Sequence, residues 1–101
     1  MARSVYEKRA HQELLAEGYV VDYKIRPRVC PRGYKVDYFG LFDLVALKQG
    51  ESFVRWIAIK GMAGNRHKII EEIKKTTFPP GNQKEIWWVN DVGVWRKEIL
   101  T

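Results

Sequence analysis

Cysteine is nearly absent from this chain of 101 residues, in which Cys30 is the only one. A single cysteine excludes an internal disulfide and any zinc site built on cysteine pairs, and it favours a reduced, cytoplasmic location. Long hydrophobic runs are missing as well, since no apolar stretch approaches the roughly 20 residues that a membrane-spanning helix needs. The sequence therefore predicts neither a membrane partner nor secretion.

Several signatures of catalysis are also missing. The chain has no Walker phosphate-binding loop, no GxGxxG turn, no Ser-His-Asp order and no zinc-ligand spacing. These absences leave kinases, NTPases, dehydrogenases and serine hydrolases without support.

The composition is that of one globular domain spanning residues 1–101, with 46% apolar and 30% charged residues. Periodicity and turn residues predict the order α-β-β-β-α-β-β. The first helix is expected to begin after Ser4, to end before Gly18 and to turn a stripe of Leu14 and Leu15 toward the core. The expected elements are helices over 4–17 and 65–76, and strands over 19–26, 41–47, 53–60, 85–91 and 92–100. Two helices and about five short strands favour an α/β fold with a mixed central sheet flanked by helices.

Positive charge is concentrated in one stretch. The net charge is +6, and residues 24–36 contribute five cations and no acid. A basic segment on a nearly neutral body favours an anionic partner, most simply nucleic acid, although a solvated loop is the alternative. Further phosphate contacts are expected at the start of the second helix, where a polar helix entry is the alternative. The expected nucleic-acid-binding residues are Lys24, Arg26, Arg28, Arg32, Lys35, Arg66 and Lys68.

Three polar residues fall on apolar surfaces, where a charge is costly without a partner or a role. Glu7 shares a helix face with Leu14, Asp43 interrupts the apolar run 41–47 on the face of Leu41 and Val45, and Lys60 ends the strand 53–60. Each has a structural alternative, namely a capping box with Ser4, a turn aspartate and a strand-end lysine. Together they predict two carboxylates and an ammonium at one end of a sheet, which suits magnesium-assisted phosphodiester hydrolysis.

An acid on the first helix, then Asp43 in FDLVAL, then a hairpin ending in IAIK resembles the PD-(D/E)xK nuclease superfamily. The likeness is greatest to archaeal-type Holliday junction resolvases and related phage and restriction-type endonucleases. The resemblance implies a restriction-endonuclease-like αβββαβ core, duplex or branched DNA as the substrate, and a homodimer. It also implies Mg²⁺ or Mn²⁺ bound by Asp43, Glu7 and the carbonyl of Ile59, with Lys60 as the catalytic lysine.

One position departs from the superfamily motif. The second acid should stand two residues before the lysine, where this chain has Ala58. Glu72 or Asp37 is a possible replacement for that carboxylate. Two alternatives therefore stay open beside an active nuclease: a catalytically inactive nucleic-acid-binding module on the same fold, and a protein-interaction domain that uses the tryptophan-rich strands.

Overall fold

The structure of the protein is a computed structural model, which describes residues 5–23, 38–39, 41–60, 66–90 and 92–100. In these ranges the elements follow the predicted order. They are α1 (Val5–Ala16), β1 (Val20–Tyr23), β2 (Leu44–Leu47), β3 (Val54–Lys60), α2 (Arg66–Lys75), β4 (Asn82–Val89) and β5 (Trp95–Leu100).

The strands form a mixed sheet in the order β1-β2-β3-β4-β5. β1, β2 and β3 pair antiparallel, and β4 and β5 also pair antiparallel. β3 and β4 are parallel, with Val54 opposite Asn82 and Lys60 opposite Trp88. A parallel pair needs a crossover, and α2 lies in the connection between these two strands. The prediction of a mixed α/β fold with two helices is confirmed.

The two helices cover opposite faces of the sheet, so the protein has two core clusters. On the α1 face, Ala10 and Leu14 pack with Leu44, Ile57 and Trp87. The α2 face has a cluster of its own, whose buried members are Phe42, Ala58, Ile73, Ile86 and Leu100. The odd-numbered residues of β3 thus face α1 and the even-numbered residues face α2.

The end of α1 shows why the sequence folds as predicted there. Gly18 has a φ of +92°, the left-handed conformation that glycine adopts without strain. Its N–H donates to Leu15, and the Tyr19 N–H donates to Leu14, as in a Schellman motif. Leu15 itself is 46% exposed, so the expectation that it shares the buried stripe with Leu14 is wrong. Tyr6 and Ala10 occupy the core side of the helix instead.

The strand bounds differ from the sequence prediction mainly at turns. β2 begins at Leu44, three residues later than expected, and β4 begins at Asn82, three residues earlier. No helix in the described ranges is long and apolar enough to cross a membrane.

Candidate functional site

Glu7 lies at the end of the sheet where β1 and β3 finish. α1 runs antiparallel to β1. The N–H of Tyr19, just before β1, donates to the Leu14 carbonyl near the end of α1, whereas the His11 ring, earlier in α1, lies 4.9 Å from the ring of Tyr23, the last residue of β1. Glu7 is one helical turn beyond His11, in the first turn of α1, and is half-buried. The helix therefore brings Glu7 toward the end of the sheet where β1 finishes.

Asp43 stands at a bulge at the start of β2. Leu44 is the partner of Ile57 in the register, yet the Asp43 N–H also donates to the Ile57 carbonyl at 2.9 Å. Two residues of one strand thus oppose one residue of the other, as in a β-bulge. The Asp43 Oδ2 atom accepts a hydrogen bond of 2.7 Å from the Ile59 N–H. This bond fixes the carboxylate beside the last residues of β3.

The bulge changes which faces the neighbouring side chains occupy. Leu44 packs on the α1 face, whereas Phe42, two residues earlier, is buried on the α2 face. Regular alternation would place both on one face, so the side chains do not alternate regularly across Asp43. An extra residue in the strand aims the Asp43 side chain at the backbone of β3.

Lys60 is the last residue of β3 and is half-buried. Alternation along β3 places it on the α2 face with Trp56 and Ala58, whereas Glu7 belongs to the helix on the other face. The structure therefore sets Asp43 beside the end of β3 and leaves Glu7 and Lys60 on opposite faces of the sheet. Ile59, the expected source of a carbonyl ligand, has its side chain buried in the α1-face core.

Ala58 occupies a core position. Its side chain is fully buried in the α2-face cluster. An acid at this point of β3 would have to enter the core, so the departure from the superfamily motif agrees with the local packing. Glu72 is exposed, seven residues into a helix of ten, and is on the half of α2 distant from Lys60. Asp37 lies outside the described residues.

The five cations of the basic stretch, Lys24, Arg26, Arg28, Arg32 and Lys35, also lie outside the described residues. The residues that flank the stretch, Tyr23 and Tyr38, both lie near this end of the sheet. Tyr23 ends β1, and the Tyr38 hydroxyl donates to the Asp22 carboxylate. Lys68 is exposed in the first turn of α2, and Arg66 is the first residue of that helix.

A second group of charged residues, missed by the sequence prediction, lies nearer the other end of β3 on the α1 face. Glu85 is 2% exposed and accepts two hydrogen bonds from the Arg55 guanidinium, at 2.6 and 2.8 Å. Trp87 Nε1 and Gln83 Nε2 also donate to it. Burial acts to raise the pKa of Glu85, but these hydrogen bonds outweigh burial and hold the pKa below its ordinary value. Because all these partners belong to β3 and β4, the group links the two parallel strands.

One sign of this group is visible in the sequence. Arg55 interrupts an apolar strand, and Lys84 and Glu85 open another. Their pairing depends on the parallel register between β3 and β4, which periodicity does not determine.

The four tryptophans lie within or beside the two core clusters. Trp87 is fully buried, while Trp56, Trp88 and Trp95 are half-buried beside the two clusters.

The chain matches no protein-family model, no curated protein and no solved structure.

Proposed function

We propose that this chain is a metal-dependent DNA endonuclease of the Holliday junction resolvase type, with a restriction-endonuclease-like core. The topology supports this core, because a helix, three antiparallel strands, a crossover helix and a parallel strand follow in the αβββαβ order. The observation that carries the proposal is the 2.7 Å bond between the Asp43 carboxylate and the Ile59 N–H, one residue before Lys60. It joins the two halves of the expected motif at one end of the sheet.

The donor atoms at this end suit a hard cation. Carboxylate and carbonyl oxygens are the ligands that Mg²⁺ and Mn²⁺ prefer, and Asp43, Glu7 and the Ile59 carbonyl would supply them. The bound cation supplies a more acidic water and stabilises negative charge on the phosphate. Lys60 would add a positive charge beside the scissile phosphate, where charge develops during the reaction.

The basic stretch would provide most of the affinity for DNA. Its flanking residues, Tyr23 and Tyr38, are near the same end of the sheet as Asp43. Each phosphate contact by a lysine or arginine releases counterions, so binding should weaken steeply as salt rises. An interface built on the tryptophan-rich strands would instead be insensitive to salt.

A cleavage assay tests the proposal. The parent chain is incubated with labelled four-way junction, duplex and single-stranded DNA in Mg²⁺ or Mn²⁺. Asp43→Asn is the sharpest variant, because the amide oxygen still accepts from the Ile59 N–H while the negative charge is lost. We expect Asp43→Asn and Lys60→Ala to abolish cutting and to leave the fold intact. The matched controls, Glu71→Gln and Lys75→Ala, remove exposed charges from α2 and should cut like the parent.

A second function is favoured by Ala58, whose fully buried side chain supplies no carboxylate. The same assay separates the two. Cutting that depends on metal, Asp43 and Lys60 supports the nuclease. Salt-sensitive binding without cutting in either metal contradicts the nuclease and supports a non-catalytic nucleic-acid-binding module.

A further inference from the structure

Phe39 is a large aromatic residue in an unusual position. Its side chain is 68% exposed, and its φ of +58° is the left-handed conformation, which is uncommon for a bulky residue. A tight turn holds it there, because the Tyr38 carbonyl accepts from both Leu41 and Phe42. Phe42, in the same turn, is fully buried in the α2-face core. The turn thus buries Phe42 in the core and leaves Phe39 exposed to solvent.

The displayed ring continues an aromatic surface. The Phe39 ring centroid lies 5.6 Å from that of Trp56 and 5.7 Å from that of Phe78, and the Trp56 and Phe78 rings are 5.2 Å apart. We call these three residues the aromatic platform. They line a pocket of about 210 Å³ together with Pro79 and Asn82.

Hydrogen bonds fix the Trp56 indole in this surface. Trp56 Nε1 donates to Asn82 Oδ1 at 2.8 Å, and Asn82 Nδ2 donates to the Pro79 carbonyl at 3.1 Å. With these polar atoms bonded to each other, the pocket offers a ligand mainly aromatic surface.

Positively charged residues occur close to the platform, one group along the chain and one lysine in the fold. The basic stretch 24–36 ends three residues before Phe39 in the chain. In the fold, exposed Lys74 lines a second pocket, and Phe78 and Asn82 line both this pocket and the pocket of the platform. An apolar aromatic surface with a lysine beside it matches a ligand that has a flat π-face and phosphate groups.

We infer that the aromatic platform stacks an unpaired base of a nucleic-acid strand. This inference rests on the proposed nucleic-acid function and adds that the bound DNA presents an unpaired base at the platform. Aromatic side chains bind single strands in this way because every base has a π-face, whereas the bases of a continuous duplex are stacked on each other.

The platform is within reach of the candidate site. Trp56 and Lys60 share one face of β3 and are four residues apart, about 13 Å along the strand. That length corresponds to roughly four phosphates of a B-form strand. One strand could therefore place a base on the platform and a phosphate beside Lys60.

Equilibrium binding of the full chain tests the inference. The probes are fluorescein-labelled oligothymidylate of about 12 nucleotides and a blunt duplex of the same length. EDTA is present so that neither probe is cut. Phe39→Ala and Phe39→Leu remove the π-face, Phe39→Tyr retains it, and Val92→Ala is a control at an exposed apolar residue elsewhere.

We expect Phe39→Ala and Phe39→Leu to weaken oligothymidylate binding by about 5- to 100-fold and to leave duplex binding unchanged. Phe39→Tyr and Val92→Ala should bind both probes like the parent. Because Phe39 is mostly exposed, its variants should keep the parent circular dichroism spectrum. Parent-like binding of oligothymidylate by Phe39→Leu, or equal losses on both probes, would overturn base stacking.

The two proposals fail in different ways. If the parent chain binds neither probe, both the proposed function and the platform inference are wrong. If the parent cuts DNA with the help of Asp43 while Phe39→Ala binds oligothymidylate normally, only the platform inference is wrong.

Discussion

At the scale of single residues, Glu85 is the charge that the fold has buried most completely among the described acids. Its side chain accepts hydrogen bonds from Arg55, Trp87 and Gln83. The Arg55 guanidinium also lies over the Tyr19 ring, 4.9 Å from its centroid. Such a pair stabilises little in comparison with an apolar core, but removing one partner leaves the other charge buried alone.

Glu85→Gln should therefore destabilise the protein strongly. The amide keeps the size of the side chain but leaves the Arg55 charge, with only 13% of its side chain exposed, without a counter-ion. We expect a loss of about 3–5 kcal/mol in the free energy of unfolding, measured by urea denaturation.

Glu13→Gln is the matched control for this variant. Glu13 pairs with Lys97 at 2.9 Å, but both side chains are 36% exposed, so the loss should stay below about 1 kcal/mol. Equal losses for the two variants would contradict the argument from burial.

At the scale of elements, the end of α2 depends on a side chain from a strand. Lys84 of β4, which is 8% exposed, donates to the Ile73 carbonyl at 2.9 Å and to the Thr76 carbonyl at 2.7 Å. These carbonyls belong to the last turn of the helix and the residue after it, where helical partners are missing and a positive charge is favourable. Lys84 thus attaches α2 to the sheet.

Lys84→Met tests this attachment. Methionine keeps the apolar stem but leaves both carbonyls without the ammonium, so we expect a loss of about 1–3 kcal/mol. Hydrogen exchange should accelerate at the amides of the last turn of α2 before it changes in the central strands.

Lys74→Met, an exposed lysine of the same turn, should change the stability by less than about 0.5 kcal/mol. If Lys84→Met matched this control in both measurements, the hydrogen bonds from Lys84 would have no role in attaching α2 to the sheet.

The elements themselves were largely predictable from the sequence, because each depends on local signals. α1 and α2 lie within one residue of the predicted bounds, since Gly18 and the Pro79-Pro80-Gly81 stretch stop helices by their own backbone geometry. Contacts between elements were not predictable in this way. Arg55 meets Glu85 only because β3 and β4 pair in one particular parallel register across a crossover. No local sequence pattern determines that register.

The candidate site was also predictable only where it depends on local signals. The hairpin of β2 and β3, which was predicted, sets Asp43 beside the last residues of β3. The bulge at Asp43 could not be foreseen, because regular alternation gives a different face. The aromatic platform was missed for a similar reason, since Phe39, Trp56 and Phe78 are separated in the chain and meet only through the turn at Tyr38.

At the scale of the whole molecule, four hydrogen-bonded groups of the described residues have shifted pKa values that make stability depend on pH. Burial acts to raise the pKa of Glu13, as of Glu85, but hydrogen bonds from Lys97 and Trp95 hold it below its ordinary value of 4.5. The bond to Glu51 raises the pKa of Tyr19 above its ordinary 10.0. Burial and the bond to Asp22 raise the pKa of Tyr38 above the same value.

These shifts predict a plateau of stability with a fall on each side. Below about pH 4.5 the unfolded chain takes up protons that Glu13 and Glu85 resist in the fold, so the free energy of unfolding should fall as pH decreases. Above about pH 10 the unfolded tyrosines lose protons that Tyr19 and Tyr38 retain in the fold, so the free energy of unfolding should fall as pH increases. Urea denaturation from acid to alkaline pH measures both limbs. Glu85→Gln should flatten the acid limb and Tyr38→Phe the alkaline limb, because each variant removes the titrating group. An alkaline limb that stays equally steep in Tyr38→Phe would assign that fall to other groups and contradict the role of the Tyr38–Asp22 bond.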